Sequence, residues 1–174
     1  MNLLDILGGV GTVMDTPGRL TRTALAGKNP LSALFDPERG RAEQSLFWTD
    51  DETGVQLRAR LDWLPHVSDR RMIIGDYKTA YTANPEQLRK QCADLSYHRQ
   101  DPWYTDGVRA VGLDDDAAFV FIFQMKDPPY LITPVALDEE AKRIGRMQNR
   151  RAIRMYAECI AADEWPDYAN DQIL

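Results

Sequence analysis

Hydrophobic positions in the first half of the chain recur with the period of a strand. Val55-Gln56-Leu57-Arg58-Ala59-Arg60-Leu61-Asp62 alternates apolar and polar side chains, which predicts a strand with one face buried. Glu43 to Trp48 predicts a strand before it, with Asp50-Asp51-Glu52-Thr53-Gly54 as the hairpin turn and Gly54 at the position needing positive φ. Pro65, Ser68 and Asp69 mark a further turn, and Met72-Ile73-Ile74 opens a β-prone run ending near Lys78. The expectation is three antiparallel strands in succession. Ala117 to Met125 is nearly continuous in apolar residues and predicts a central strand covered on both faces. Pro128-Pro129 ends it, and Tyr130 to Val135 supplies an edge strand, consistent with Pro134.

The period changes to that of a helix elsewhere. Asn84 as cap, Pro85 at the first helical position and Glu86 in the first turn open a helix whose buried stripe is expected to be Leu88, Cys92 and Leu95. Asp101-Pro102 is expected to interrupt it, with a second short helix from Trp103 to Val111. A long helix follows Leu137-Asp138-Glu139-Glu140 and reaches about Ala162. Leu137, Ala141, Ile144, Gln148, Ala152, Met155 and Cys159 fall on one side and Arg143, Arg146, Arg150 and Arg154 roughly opposite. The arginine stripe reads either as a solvated basic face or as a track for a DNA backbone. Near the N-terminus, Thr16 and Pro17 open an expected helix to Gly27, and Leu31 to Phe35 another turn. Gly8-Gly9-Val10-Gly11 is not a dinucleotide loop: no strand of useful length precedes it, and Met14 stands where the third glycine belongs.

At 174 residues the chain is long enough for one well-packed domain. The expected organisation is an N-terminal helical segment over 1–41, a main domain over 42–168 and a tail over 169–174. The longest apolar run, Ala117 to Phe123, is too short to span a membrane. No basic region precedes Leu3, so a secretory signal is not expected and the cytoplasm follows by default. Cys92 and Cys159 read as free thiols, and two histidines without a CxxC pair leave little room for zinc. His98 reads as a hydrogen-bonded structural residue. The net charge of −6 argues against indiscriminate coating of nucleic acid, but not against a localised site.

Candidate chemistry lies at Asp62, Asp76 and Lys78. Positions 76 and 78 project from the same face of a strand, and antiparallel pairing of the two strands that end in acids would bring Asp62 alongside. Carboxylate oxygens suit Mg²⁺ or Mn²⁺, and an ammonium beside them can orient a water or stabilise charge on a phosphoryl group. The plainer alternative for Asp76 and Lys78 is a surface ion pair.

Asp62 followed by Asp76-Tyr77-Lys78 resembles the signature of the PD-(D/E)XK nuclease superfamily. Tyr97-His98-Arg99-Gln100-Asp101-Pro102-Trp103-Tyr104-Thr105-Asp106-Gly107 and Asp163-Glu164-Trp165-Pro166 look like segments of RecE-type phage and prophage exonucleases. The resemblance covers roughly residues 43 to 168. It implies an α/β fold of the restriction-endonuclease-like kind, a small mixed β-sheet flanked by α-helices. It also implies Mg²⁺, or Mn²⁺, held by Asp62, Asp76 and the Tyr77 carbonyl, with Lys78 assisting the water. Gln100 would hold that water or a phosphate oxygen, and Tyr104 would contact DNA or pack. Such enzymes degrade one strand of a linear duplex from its end, pass the other to an annealing protein, and often form rings. Arg58, Arg60 and the Arg143/Arg146/Arg150/Arg154 stripe are the available counter-charges for DNA. Two departures stand out: Leu61 replaces the proline of the superfamily name, and the expected first helix has no glutamate, leaving Glu38 and Glu43 nearest. The rivals are a catalytically silent DNA-binding or assembly protein derived from such a nuclease, and an unrelated small-molecule α/β enzyme.

Overall fold

The computed structural model describes residues 31, 34, 36–68 and 70–167. Among them run β1 (Gly40–Thr49), β2 (Gln56–Pro65), β3 (Ile73–Ala80), α1 (Pro85–Asp94), α2 (Tyr97–Ala110), β4 (Ala118–Met125), β5 (Ile132–Val135) and α3 (Glu139–Ala162). The expected helix from Thr16 to Gly27 and the tail 169–174 lie outside the described residues. Leu31 and Leu34 are helical and buried.

The strands form two sheets: β1 with β2, and β3-β4-β5. The β1–β2 hairpin closes as expected, with Gly54 at φ 72 and the Asp50 carboxylate accepting from Thr53 N at 3.0 Å and Thr53 Oγ1 at 2.7 Å. The expected antiparallel ladder between β2 and β3 does not form. β3 instead pairs in parallel with β4, across the α1–α2 crossover that a parallel connection requires. Where β2 meets β3, the Tyr77 N–H donates to Asp62 Oδ2 at 3.0 Å. A side-chain carboxylate thus takes the amide that a ladder would pair with a backbone carbonyl.

β4 is the central strand of its sheet, and residues 119–124 are all at most 2% exposed. Phe119, Phe121 and Phe123 share one face, where Tyr97 stacks on Phe121 at 5.1 Å and Tyr104 tilts against Phe119 at 5.5 Å. Each such buried side chain contributes roughly 1.5–3 kcal/mol, so this face fixes α2 against the sheet. On the other face, Tyr77 donates its hydroxyl to the Gln124 side chain.

Three helical expectations change. α1 ends at Asp94, Ser96 turns the chain at φ 56, and Leu95 is 55% exposed rather than part of the buried stripe. α2 does not break at Pro102; it runs through it from Tyr97. Pro102 cannot donate to the His98 carbonyl one turn earlier. α3 packs at that carbonyl, through Gly145, where an added Cβ would lie 1.7 Å from His98 O. The close helix contact thus sits where the proline has removed an internal hydrogen bond. Third, the inward face of α3 is rotated from the expected stripe. Gly145 and Ile153 are buried, whereas Ile144 and Met155 are exposed. Polar contacts set this face: Asn149 Nδ2 donates to Arg99 O at 2.9 Å, and His98 Nε2 lies 2.9 Å from Gln148 Oε1.

Among the described residues, no helix is long and apolar enough to cross a membrane. Both cysteines are free thiols.

Candidate active site

Strand alternation places Asp76 and Lys78 on the α2 side of β3. Asp76 is 2% exposed, and two groups reach it: Lys78 Nζ lies 2.5 Å from Oδ2, and Gln100 Nε2 donates to Oδ1 at 2.6 Å. Burial pushes the Asp76 carboxyl up to about 6; Lys78 and Gln100 oppose that shift, and the nearby Asp62 charge adds to it. Gln100 stands in the first turns of α2, so the turn at Ser96 that starts this helix also aims the amide at β3. The pKa of the Tyr104 hydroxyl, one turn along α2, is raised by burial and by the Asp76 charge. Lys78 is flanked by the Tyr97 ring, 5.3 Å from its centroid, and by Phe121.

Asp62 arrives from β2. The β1–β2 ladder pairs Ala42 with Trp63 and Gln44 with Leu61 but skips Glu43 and Asp62 between them. Glu43 there adopts φ 58, and its carboxylate goes to Arg60 Nε at 2.6 Å. Without a cross-strand partner, Asp62 reaches sideways to the Tyr77 amide.

The oxygen donors suit a hard divalent cation. Asp76 Oδ2 is buried, and its contact with Lys78 is a charge contact without an aligned hydrogen bond. Asp62 keeps Oδ1 beyond its bond to Tyr77. In a strand, the N–H and C=O of one residue point to the same side, so the Tyr77 carbonyl faces the Asp62 edge too. Two carboxylates and a carbonyl match Mg²⁺, which takes few protein ligands and keeps several waters. Among the described residues, no group of three His, Cys, Asp or Glu side chains converges. Neither Glu38, which is exposed, nor Glu43 adds a third carboxylate.

The arginine stripe of α3 is not a free basic face. Arg146 Nε pairs with Asp106 at 3.1 Å, Arg150 with Asp50 at 2.5 Å, Arg154 with Glu52 at 2.6 Å, and Arg143 with Glu140 at 2.7 Å. The partners come mostly from the β1–β2 turn and α2, which is why the stripe looks unopposed in its own stretch of sequence. A groove that sequence reasoning missed lies beside the carboxylates. It has a volume of about 710 Å³ and includes Phe47, Arg58, Tyr97, Arg99, Gln100 and Tyr104 in its walls. Its residues come from separate elements with no shared spacing, so no pattern along the sequence marks them as one site.

Residues 21–172 match the family described as a PDDEXK-like domain of unknown function (DUF3799). The chain belongs to this PDDEXK-like family. The restriction-endonuclease-like fold therefore stands, within the PD-(D/E)XK superfamily. A solved structure from Eubacterium rectale, described as a "putative exonuclease", is similar to this PDDEXK-like chain with a TM-score of 0.59 at 10% identity. The match covers 83% of this chain and 55% of the other, so the chain spans about half the length of that structure. At that identity the likeness concerns the fold. No curated protein is similar enough in sequence to count as a relative.

Proposed function

We propose that this protein hydrolyses phosphodiester bonds of DNA with a divalent metal ion, Mg²⁺ or Mn²⁺, held by Asp62, Asp76 and the Tyr77 carbonyl. The observation that carries this reading is the buried Asp76 carboxylate, with Lys78 on one oxygen, Gln100 on the other and Asp62 on the next peptide N–H. When bound, such a cation polarises the phosphoryl group and acidifies nearby water. Lys78 contributes a fixed positive charge where negative charge grows on the phosphoryl oxygens. Gln100 holds the Asp76 carboxylate in one orientation. The water oxygen bonds to phosphorus and gives up a proton to solvent, the bond from phosphorus to the bridging ester oxygen breaks, and the leaving oxygen takes up a proton from solvent.

The substrate in this reading is linear double-stranded DNA attacked from an end, in phage-type recombination. A single-strand annealing protein would receive the remaining strand, and copies of the chain would assemble as a ring. The RecE-like Tyr97–Gly107 block supports this, together with the exonuclease described among similar folds. The test is release of acid-soluble nucleotides from linear and covalently closed duplexes. Release from the linear form alone, with Mg²⁺ and not with EDTA, is expected. Equal cleavage of the closed circle would contradict the exonuclease reading. No cleavage with either Mg²⁺ or Mn²⁺ would favour a catalytically silent DNA-binding protein.

A further inference from the structure

We propose that the groove beside the carboxylates takes an unpaired stretch of DNA strand, with phosphates on Arg58 and Arg99 and a base against Phe47. This deepens the nuclease reading and rests on it only for where the strand is cut.

The placement follows from the hairpin. Alternation along β2 puts Arg58, Arg60 and Asp62 on one side, about 6.5–7 Å apart from one to the next. In the ladder Phe47 faces Arg58 and Ser45 faces Arg60, so an aromatic ring and a cation stand side by side at the far end of this row. The opposite wall is the start of α2, with Arg99, Tyr97 and Trp103. Gln100 lines the groove and also touches Asp76, so the groove leads to the carboxylates.

Charge and exposure select the occupant. Four of the five α3 arginines are engaged in ion pairs, the fifth, Arg151, is not among the groove's walls, and Arg60 is held by Glu43. Among the described residues, the Arg58 and Arg99 side chains have no ion-pair partner and both are exposed. Phe47 is 66% exposed on the same rim, and Leu95 is 55% exposed in the same groove. Cations for the backbone beside an exposed ring for a base are the elements of a single-strand site, which is tolerant of sequence because every base has a stacking face. A groove of about 710 Å³ is the size of sites for small ligands, suited to a few nucleotides rather than the width of a duplex.

The test is fluorescence anisotropy of the full chain with a labelled 12-nucleotide strand and with a blunt duplex of the same sequence, in EDTA to prevent cleavage. The single strand is expected to bind more tightly. The double variant Arg58→Ala/Arg99→Ala should lower the slope of log affinity against log salt by about 1.4, at about 0.7 per phosphate contact on a single strand. Phe47→Ala should weaken binding roughly tenfold with the slope unchanged, in line with loss of one stacked base. All three side chains are exposed, and circular dichroism checks that each variant is folded. Tighter binding of the blunt duplex, or single-strand affinity and slope unchanged in the arginine variant, would overturn the proposal. If groove variants bind normally while Mg²⁺-dependent cleavage persists, the groove fails and the nuclease reading survives. Groove-dependent binding without cleavage by any metal would support the groove and defeat the nuclease reading.

Discussion

At the scale of single residues, burial and its partners determine the chemistry. Asp76 is a carboxylate pushed up by desolvation and drawn back by Lys78 and Gln100. Gln100→Ala removes the donor that holds it. By analogy with partners that orient metal ligands, this should cost 10- to 100-fold in activity or metal affinity. A Mg²⁺ titration of the cleavage rate reads both. Asp101 offers a separate test away from the carboxylate pair. It is 1% exposed between α2 and α3, and burial pushes it up to about 6, against the opposing charges of Lys142 and Arg146 and with those of Glu139 and Asp106 adding to the shift. The folded state therefore binds the proton more tightly than the unfolded chain. Stability falls as pH rises from about 4 to about 6, by up to roughly 3 kcal/mol at 1.36 kcal/mol per pKa unit. Asp101→Asn should melt above the wild type at pH 7.5 and converge with it at pH 4. Equal melting temperatures at both pH values would contradict that assignment. Asp76 and Lys78 were legible in the sequence because a spacing of two means one face of a strand. Gln100 was legible only through the resemblance of its surrounding block. Arg99 and Phe47 carried no signal, since their juxtaposition depends on how α2 crosses the hairpin.

At the scale of elements, the close approach of α3 to α2 governs where Gln100 points. Gly145→Ala would place a Cβ 1.7 Å from the His98 carbonyl, two residues before Gln100. The helices must separate, at a cost of about 1–3 kcal/mol or more, and the melting temperature should drop by several degrees. Cleavage should fall further than the loss of folded protein explains. A variant that melts like the wild type would contradict this packing. Strands were the more legible elements: β4 announced itself through unbroken burial and β2 through alternation. The helices were less so, for identifiable reasons. Pro102 reads as a break, yet its missing donor falls where α3 packs. The apolar stripe of α3 points away from the contact face because polar groups such as Asn149 and Gln148 make that contact. The β2–β3 ladder failed because Asp62 itself occupies the Tyr77 amide.

At the scale of the whole molecule, the α3 arginines link distant parts of the chain. Arg150 and Arg154 fasten the helix to the β1–β2 turn at Asp50 and Glu52, and Arg146 fastens it to α2 at Asp106. Arg150 holds the Asp50 carboxyl well below the usual carboxylate range, helped by Thr53. That contribution is present above pH 4 and is lost as pH falls. Arg150→Ala leaves the buried Asp50 charge with Thr53 alone and should destabilise by roughly 1–3 kcal/mol, read by urea unfolding. It should leave the salt dependence of DNA affinity unchanged; a flatter slope would mean that the stripe contacts DNA after all. The central claim is that Asp76 and its partners form the centre that cuts DNA. Its most direct test compares wild type and Asp76→Asn on end-labelled linear DNA with Mg²⁺, with DNA binding measured alongside. The account predicts that cleavage is abolished in Asp76→Asn while DNA affinity is kept or tightened, because a negative charge has gone. Persistent Mg²⁺-dependent cleavage by Asp76→Asn would contradict it.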